Sequence, residues 1–306
     1  MNNRNDQIIR IGTRKSALAL RQTELIAAEL QRAWPGLSVE LVTKDTLGDQ
    51  ILDRPLVDFG GKGVFISEFE QALLEGTMDL AVHSAKDLPM ELSPGLSIAA
   101  VSHREDPRDV LVYCEKKHIS DLPVRVGTSS PRRQLQAALL QERLWPGSRG
   151  LVCIPLRGNV QTRLRKLKEG ECDVIILAAA GLKRLGILEE GNGFSYEFLP
   201  PDLFIPAGGQ GILAVEAKTG SHAWRLAKAL DHRESRLCFE TERLVLQGLH
   251  AGCHEPVGVH CFSEGGSLFL RAVNSRENRI RQICKKGNIS SEEGRRMARE
   301  AWNELT

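Results

Sequence analysis

Val124-Arg-Val-Gly-Thr-Ser-Ser-Pro-Arg-Arg-Gln-Leu-Gln-Ala-Ala-Leu139 passes from a strand into a helix with almost no loop between them. Val124–Gly127 has the short β pattern. Ser130 can cap the unpaired N–H groups of a helix, and Pro131 sits at the first helical position, where its missing N–H removes no bond. A strand feeding directly into a helix is the unit of an α/β fold. The same alternation continues on both sides, with strands at Val110–Tyr113, Leu151–Ile154 and Val174–Leu177 and a helix starting near Val160. Towards the N-terminus, Ile8–Gly12 reads as a strand, and Ser16 caps a helix running to about Ala33. Pro35-Gly36 then turns the chain into a strand near Val39–Thr43. After Gly60-Gly61-Lys62-Gly63, Ser67 and Glu70 have the spacing of a capping box opening a helix through Leu74. Leu80–Val82 and Leu96–Val101 add strands. Strands separated by helices predict largely parallel sheets.

Arg104-Glu-Asp-Pro-Arg108 interrupts the pattern and marks a crossing between domains, and Gly211–Glu216 reads as a strand returning to the first sheet. From about Asp231 the pattern changes to one long helix, three short β-like runs and a closing helix opened by Ser290 and Glu293. The expected fold is α/β: two doubly wound domains and a small C-terminal α+β domain. Their bounds are 1–103 with 208–228, 104–207, and 229–306. No internal repeat is legible.

A chain of 306 residues is too long for one ordinary core. Its 42% hydrophobic and 26% charged content is that of a globular protein. The 41 basic residues against 39 acidic ones leave a net charge of +2, and aromatics are only 5%, which disfavours a nucleic-acid partner. No apolar run approaches the roughly 18 residues of a membrane span. Met1 to Asp6 is polar, so no signal peptide is expected. Cys114, Cys153, Cys172, Cys238, Cys253, Cys261 and Cys284 are scattered and never spaced C-x-x-C, which suits reduced thiols in a cytoplasmic protein rather than a disulfide framework or a zinc site.

Cations gather where strands end or helices begin: Arg14-Lys15 before Ser16, Arg132-Arg133 after Ser130, Arg157 with Arg163 one turn into the next helix, and Lys183-Arg184. Helix N-termini hold anions, and the guanidinium fork matches a carboxylate in two bonds. Solvated surface accounts for one such cluster. Recurrence at the same topological position favours an anion site, because ligands of open α/β sheets bind at the carboxyl ends of strands.

In Ala81-Val-His-Ser-Ala-Lys-Asp-Leu-Pro89 an apolar strand ends at Lys86 and Asp87. Asp87 is either a proton-transfer or cation-stabilising carboxylate or a turn former ahead of Pro89. In Leu249-His-Ala-Gly-Cys-His-Glu-Pro256, Cys253 lies in a small-residue loop between His250 and His254. An activated thiol and an inert loop thiol both remain open. A metal site lacks a fourth ligand at matching spacing.

Taken together the residues resemble the porphobilinogen deaminase (hydroxymethylbilane synthase) family along nearly the whole chain. The resemblance is carried, in order, by Arg10-Ile-Gly-Thr-Arg-Lys-Ser16, Gly60-Gly-Lys-Gly-Val-Phe65, Ala81-Val-His-Ser-Ala-Lys-Asp87, Arg104-Glu-Asp-Pro-Arg-Asp109, Gly127-Thr-Ser-Ser-Pro-Arg-Arg133, Leu156-Arg-Gly-Asn159, Ala180-Gly-Leu-Lys-Arg-Leu-Gly186, Gly209-Gln-Gly211 and Gly252-Cys253. It implies two domains like the halves of periplasmic binding proteins, with a cleft between domains. The implied enzyme is a transferase of tetrapyrrole and heme biosynthesis that condenses four porphobilinogen units with loss of ammonia and releases hydroxymethylbilane by hydrolysis.

The resemblance also implies a dipyrromethane cofactor bound by a thioether to Cys253. Lys86, Ser130, Arg132, Arg133 and Arg163 would hold its carboxylates. Arg14, Ser16, Arg157, Arg184 and Gln210 would serve substrate, Lys62 and Phe65 would belong to a loop over the site, and Asp87 would be a buried catalytic carboxylate. No metal, membrane or nucleic acid is implied, and the family suggests a monomer. Lys218 stands where relatives often have arginine, Ala251 where a second glycine is frequent, and Leu47 where a polar residue is common. The competing reading is an anion-binding module without chemistry, which needs neither Asp87 nor Cys253.

Overall fold

The structure is a computed structural model, described for residues 8–44, 66–114, 122–188, 192–252, 255–276 and 279–306. The chain divides into two compact units, Met1–Glu105 with Ile212–Glu240, and Asp106–Gly211 with Thr241–Thr306.

The first unit contains β1 (Ile8–Arg14), α1 (Ala17–Ala33), β2 (Ser38–Lys44), α2 (Ser67–Glu75), β3 (Leu80–Ser84) and β4 (Leu96–Val101). Its five-stranded sheet has the order β2-β1-β3-β10-β4, with β10 at Leu213–Lys218. Two parallel neighbours flank β1, whereas β10 runs antiparallel to both β3 and β4. One face packs Ile9, Ile11, Leu80, Val82, Leu213 and Val215 against Ile26 and Leu30 of α1. The opposite face meets Phe69, Ala72 and Leu73 of α2. Strands covered on both faces read as continuous apolar runs, which is why Leu80–Val82 and Leu96–Val101 are legible without alternation.

The predicted caps fare differently. Ser16 Oγ accepts from the Ala19 N–H at 3.3 Å, as its position before α1 requires. The capping box at α2 does not form. Ile66 occupies the cap position without a side-chain bond, and Glu70 turns away to accept from the Ser93 N–H and Oγ–H at 3.0 and 2.6 Å. The expected Gly60–Gly63 segment and Leu47 lie outside the described residues.

The second unit repeats this topology. It contains β5 (Asp109–Tyr113), β6 (Val124–Gly127), α3 (Pro131–Leu139), β7 (Leu151–Ile154), α4 (Val160–Lys168), β8 (Val174–Ala178), α5 (Ala179–Arg184) and β9 (Ser195–Leu199). The strand order is β7-β6-β8-β5-β9. β6 is parallel to β7 and β8, and β5 is antiparallel to β8 and β9. Four strands of each sheet run one way, and a single strand opposes them: β10, which returns from a distant part of the chain, in the first sheet, and β5, the first strand of its unit, in the second. The internal repeat is one of topology and leaves no repeated sequence.

β1 and β6 hold matching places, and each carries a glycine where the backbone is closely approached. A Cβ on Gly12 would lie 2.5 Å from Met78 Sδ, and one on Gly127 would lie 2.8 Å from both Cys172 Sγ and Ile175 Cγ2.

After α6 (His222–Ala227) and α7 (Arg233–Gly248), the tail forms the antiparallel sheet β11 (Gly258–Glu264), β12 (Ser267–Arg276) and β13 (Arg279–Asn288). α8 (Ser291–Leu305) packs on β12 and β13. Ser290 Oγ caps it, accepting from the Glu293 N–H at 3.1 Å. Among the described residues no helix is long and apolar enough to cross a membrane.

Candidate active site

In each sheet the parallel strands deliver their carboxyl ends to one edge, and the predicted cationic segments follow those ends. In the first unit Arg14 closes β1, Ser16 opens α1, and Ala85–Asp87 forms a 3₁₀ turn directly after β3. The two strand ends are tied through α1, because Gln22 Nε2 donates to Ser84 Oγ at 3.0 Å. The antiparallel β10 begins at the same edge, and Ala85 N–H donates to Ile212 O at 3.0 Å. Arg14 and Lys86 are half-buried there. Asp87, expected as a buried carboxylate, is exposed. The turn leads it out of the sheet, while Leu88 buries itself behind it at 1% exposure.

In the second unit the turn after β6 is stitched to the segment after β7. Ser129 Oγ donates to Leu156 O at 3.2 Å, and Leu156 N–H donates back to Ser129 Oγ at 2.9 Å. Asn159 caps α4 through the Thr162 N–H at 2.8 Å. Arg157 is half-buried, and Arg163, also half-buried, donates from Nε to Gly158 O at 2.8 Å. Ser130 caps α3 by position only, without a side-chain bond. Arg184 Nη2 donates to Gly211 O at 2.7 Å, and the buried Gln210 donates from Nε2 to Pro107 O at 2.7 Å. This brings the Gly209–Gly211 turn to the start of β5.

Arg132 and Arg133 are held differently from the other cations. Both are buried, and both donate to the fully buried Asp109: Arg132 Nη1 to Oδ2 and Arg133 Nη2 to Oδ1, each at 2.7 Å. Burial alone would raise the Asp109 carboxyl, but the two guanidinium groups outweigh it and hold the group well below the usual carboxylate range. Asp106 is a second such centre. Burial raises its carboxyl, and hydrogen bonds from Arg108 and Lys183 bring it down to about 2. Neither aspartate was singled out in the sequence. Both sit within the Arg104–Asp109 segment, which the sequence marks as a crossing between domains without assigning either carboxylate a partner.

The loop leading to Cys253 is shaped by its neighbours. His250 adopts a left-handed backbone, φ 52°, and is alone among the described non-glycine residues in having a positive φ. Ala251 is buried and donates its N–H to Leu246 O at 2.9 Å. A Cβ built on Gly252 meets no atom of the described residues within 4 Å. Cys253, Lys62 and Phe65 lie outside the described residues. Glu242 was missed in the sequence. Fully buried on α7, it accepts from the Gly209 N–H and the Cys261 N–H, both at 2.7 Å. It therefore ties the Gly209–Gly211 turn to β11. Its signal was available, since it falls three residues from both Phe239 and Val245 on an apolar helix face. No group of histidine, cysteine and acidic side chains suited to a metal occurs among the described residues.

A sequence family described as "Porphobilinogen deaminase, dipyromethane cofactor binding domain" matches residues 9–225. The chain is 45% identical to the porphobilinogen deaminase of Roseiflexus sp. (strain RS-1), over 94% of this chain and 93% of the relative. It is 47% identical to that of Chromobacterium violaceum, over 87% and 83% respectively. Among solved structures it is similar to the BenM effector binding domain with its effector benzoate, with a TM-score of 0.40 and 15% identity over 73% of this chain and 89% of that one. With β1, β3, β6, β7 and β8 all ending in the segments that carry the motifs, and with a family match running through both sheets, the chain belongs to the porphobilinogen deaminase family.

Proposed function

We propose that this chain acts as its relatives are named: it joins four porphobilinogen molecules head to tail, releases ammonia at each condensation, and frees the linear product hydroxymethylbilane by hydrolysis. The observation carrying this reading is the edge of the first sheet. There Arg14, Lys86 and an exposed Asp87 leave neighbouring strands together. Each pyrrole unit brings carboxylates, and guanidinium forks bind carboxylates in two bonds. Arg14, Ser16, Arg157, Arg184 and Gln210 serve the substrate and the lengthening product. Asp87 helps the ammonium leave and balances positive charge developing on the pyrrole, a use of electrostatic preorganisation.

The residues present also fit a dipyrromethane cofactor on Cys253. The position next to it, Gly252, is uncrowded, and Ala251 anchors the loop just before the thiol. When bound, this group supplies the pyrrole terminus that substrate extends. Lys86, Ser130, Arg132, Arg133 and Arg163 hold its carboxylates. Arg132 and Arg133 contribute as a cluster whose two positive charges are reduced to one by Asp109. Lys62 and Phe65 belong to a loop over the site. The small domain formed by 229–306 carries the cofactor loop, and the protein works as a cytoplasmic monomer with no nucleic-acid partner.

Intact-mass spectrometry of protein from cells that supply porphobilinogen tests the tether. The expected mass exceeds the bare sequence by one dipyrromethane, and Cys253→Ala removes the increment while leaving a folded protein. A fully active enzyme with the bare mass rejects the tether. Purified protein that consumes no porphobilinogen and releases no ammonia rejects the function.

A further inference from the structure

His83 and Glu216 have no part in the roles above. Both are buried, His83 at 8% exposure and Glu216 at 0%. The Nε2–H of His83 donates to Glu216 Oε2 at 2.9 Å, while Glu216 Oε1 is buried without a hydrogen-bond partner. An unsatisfied buried acceptor opposes folding, so stability alone does not account for the pair. Apolar side chains of similar volume would hold the strands together at least as well.

The two residues are diagonal neighbours across β3 and β10, His83 opposite Ala214 and Glu216 opposite Ala81. On the other side of β10 the register against β4 shifts between Val215 and Glu216, an irregularity of the kind that re-aims a side chain. Phe69 of α2 closes over the imidazole edge-on, with centroids 5.9 Å apart. The same two strands launch the Lys86–Asp87 turn. Ser84 pairs with Leu213, and Ala85 N–H reaches Ile212 O at 3.0 Å.

We propose that His83 and Glu216 are positioning residues for that turn: their hydrogen bond locks β3 onto β10 and so fixes the direction in which Asp87 leaves the sheet. The inference rests on Asp87 being the carboxylate of the reaction. Without the bond the strands keep their apolar packing but the turn gains play, and a shift of about 1 Å at a reacting group is enough for a loss of about a hundredfold.

The test replaces both residues together, His83→Leu with Glu216→Leu. The expected protein folds, keeps the cofactor mass and a KM within about twofold of the parent, and has a kcat lower by about tenfold or more. Its Ala85 amide exchanges faster. A folded double variant with the parent kcat and unchanged exchange overturns the proposal. Should the leucine pair fail to fold, Glu216→Gln decides. It keeps the volume but leaves only a neutral, weaker bond. A kcat about threefold lower at constant KM supports the clasp, and an unchanged kcat overturns it. If the parent itself carries no tethered group, the reading of Cys253 and Asp87 fails instead. Exchange at Ala85 then still judges the clasp: faster in the variants supports it, and equal to the parent overturns it.

Discussion

Arg132 reaches Asp109 at 2.7 Å and from the same Nη1 donates to Ile205 O at 2.8 Å, so one guanidinium joins the start of β5 to the segment that follows β9. Arg133 does the same for β8 through Ile176 O at 2.8 Å. The first turn of α3 is thereby fixed to three other parts of the unit by charge-assisted bonds, and the charge of both guanidinium groups is compensated by one carboxylate. Removing a single partner from a buried ion cluster leaves charge without compensation, whatever the net worth of the intact cluster.

Asp109→Asn keeps the shape and deletes that charge. The expected loss of stability is about 3–5 kcal/mol. Urea unfolding of the variant against the parent measures it, and a loss below about 1 kcal/mol, the size of an exposed ion pair, would show that the cluster is not held as described.

Acid should weaken the same region. Asp106 and Asp109 both titrate lower in the folded chain than the roughly 3.9 of an unfolded aspartate. Groups with depressed folded values add stability that is present above the unfolded value and lost as pH falls through the folded one. The thermal midpoint is therefore expected to fall between about pH 4 and pH 2, and Asp106→Asn to flatten part of that slope. A midpoint constant across this interval would contradict the pairing of both carboxyls.

Much of the fold is legible because its signals are local. β4, β6 and β7 begin and end where the sequence pattern places them, and Ser16, Pro131 and Ser290 mark helix starts. What escapes reading depends on distant partners. Glu70 has the right spacing for a cap, but Ser93 offers it two donors. The antiparallel insertion of β10 is invisible in Leu213–Lys218, since an apolar run does not encode the direction of its neighbours. At the site, the sequence places Arg132 and Arg133 at a helix start, but nothing nearby says that Asp109 will take both. The family resemblance implies a buried Asp87, whereas the turn after β3 carries it outward.

Gly127 and Gly252 should respond to alanine in opposite ways. A methyl group at Gly127 meets Cys172 and Ile175 at 2.8 Å inside a packed core. Overpacking of that kind costs about 1–3 kcal/mol. At Gly252 nothing among the described residues lies within 4 Å. The Gly252→Ala thermal midpoint should match the parent while that of Gly127→Ala drops. Equal midpoints for the two variants would mean that the approach of Cys172 and Ile175 to β6 is looser than it stands here.

Asp87 carries the most direct chemical prediction. It is exposed at the end of a short turn, and its backbone neighbours are held by Ala85 and Leu88 rather than by its own side chain. Asp87→Ala should therefore fold as the parent does and keep the mass increment of the cofactor. Positioned proton-transfer groups contribute about 10²–10⁴-fold, so kcat for ammonia release should fall by at least about a hundredfold. Asp87→Asn preserves size and polarity but not charge, and should be nearly as slow if the carboxylate acts through its charge. Ammonia release is measured alongside intact mass, which separates loss of chemistry from loss of cofactor. A fall of less than about tenfold in Asp87→Ala that still carries the cofactor would make Asp87 a turn former ahead of Pro89, and would require another carboxylate to answer the positive charge of the reaction.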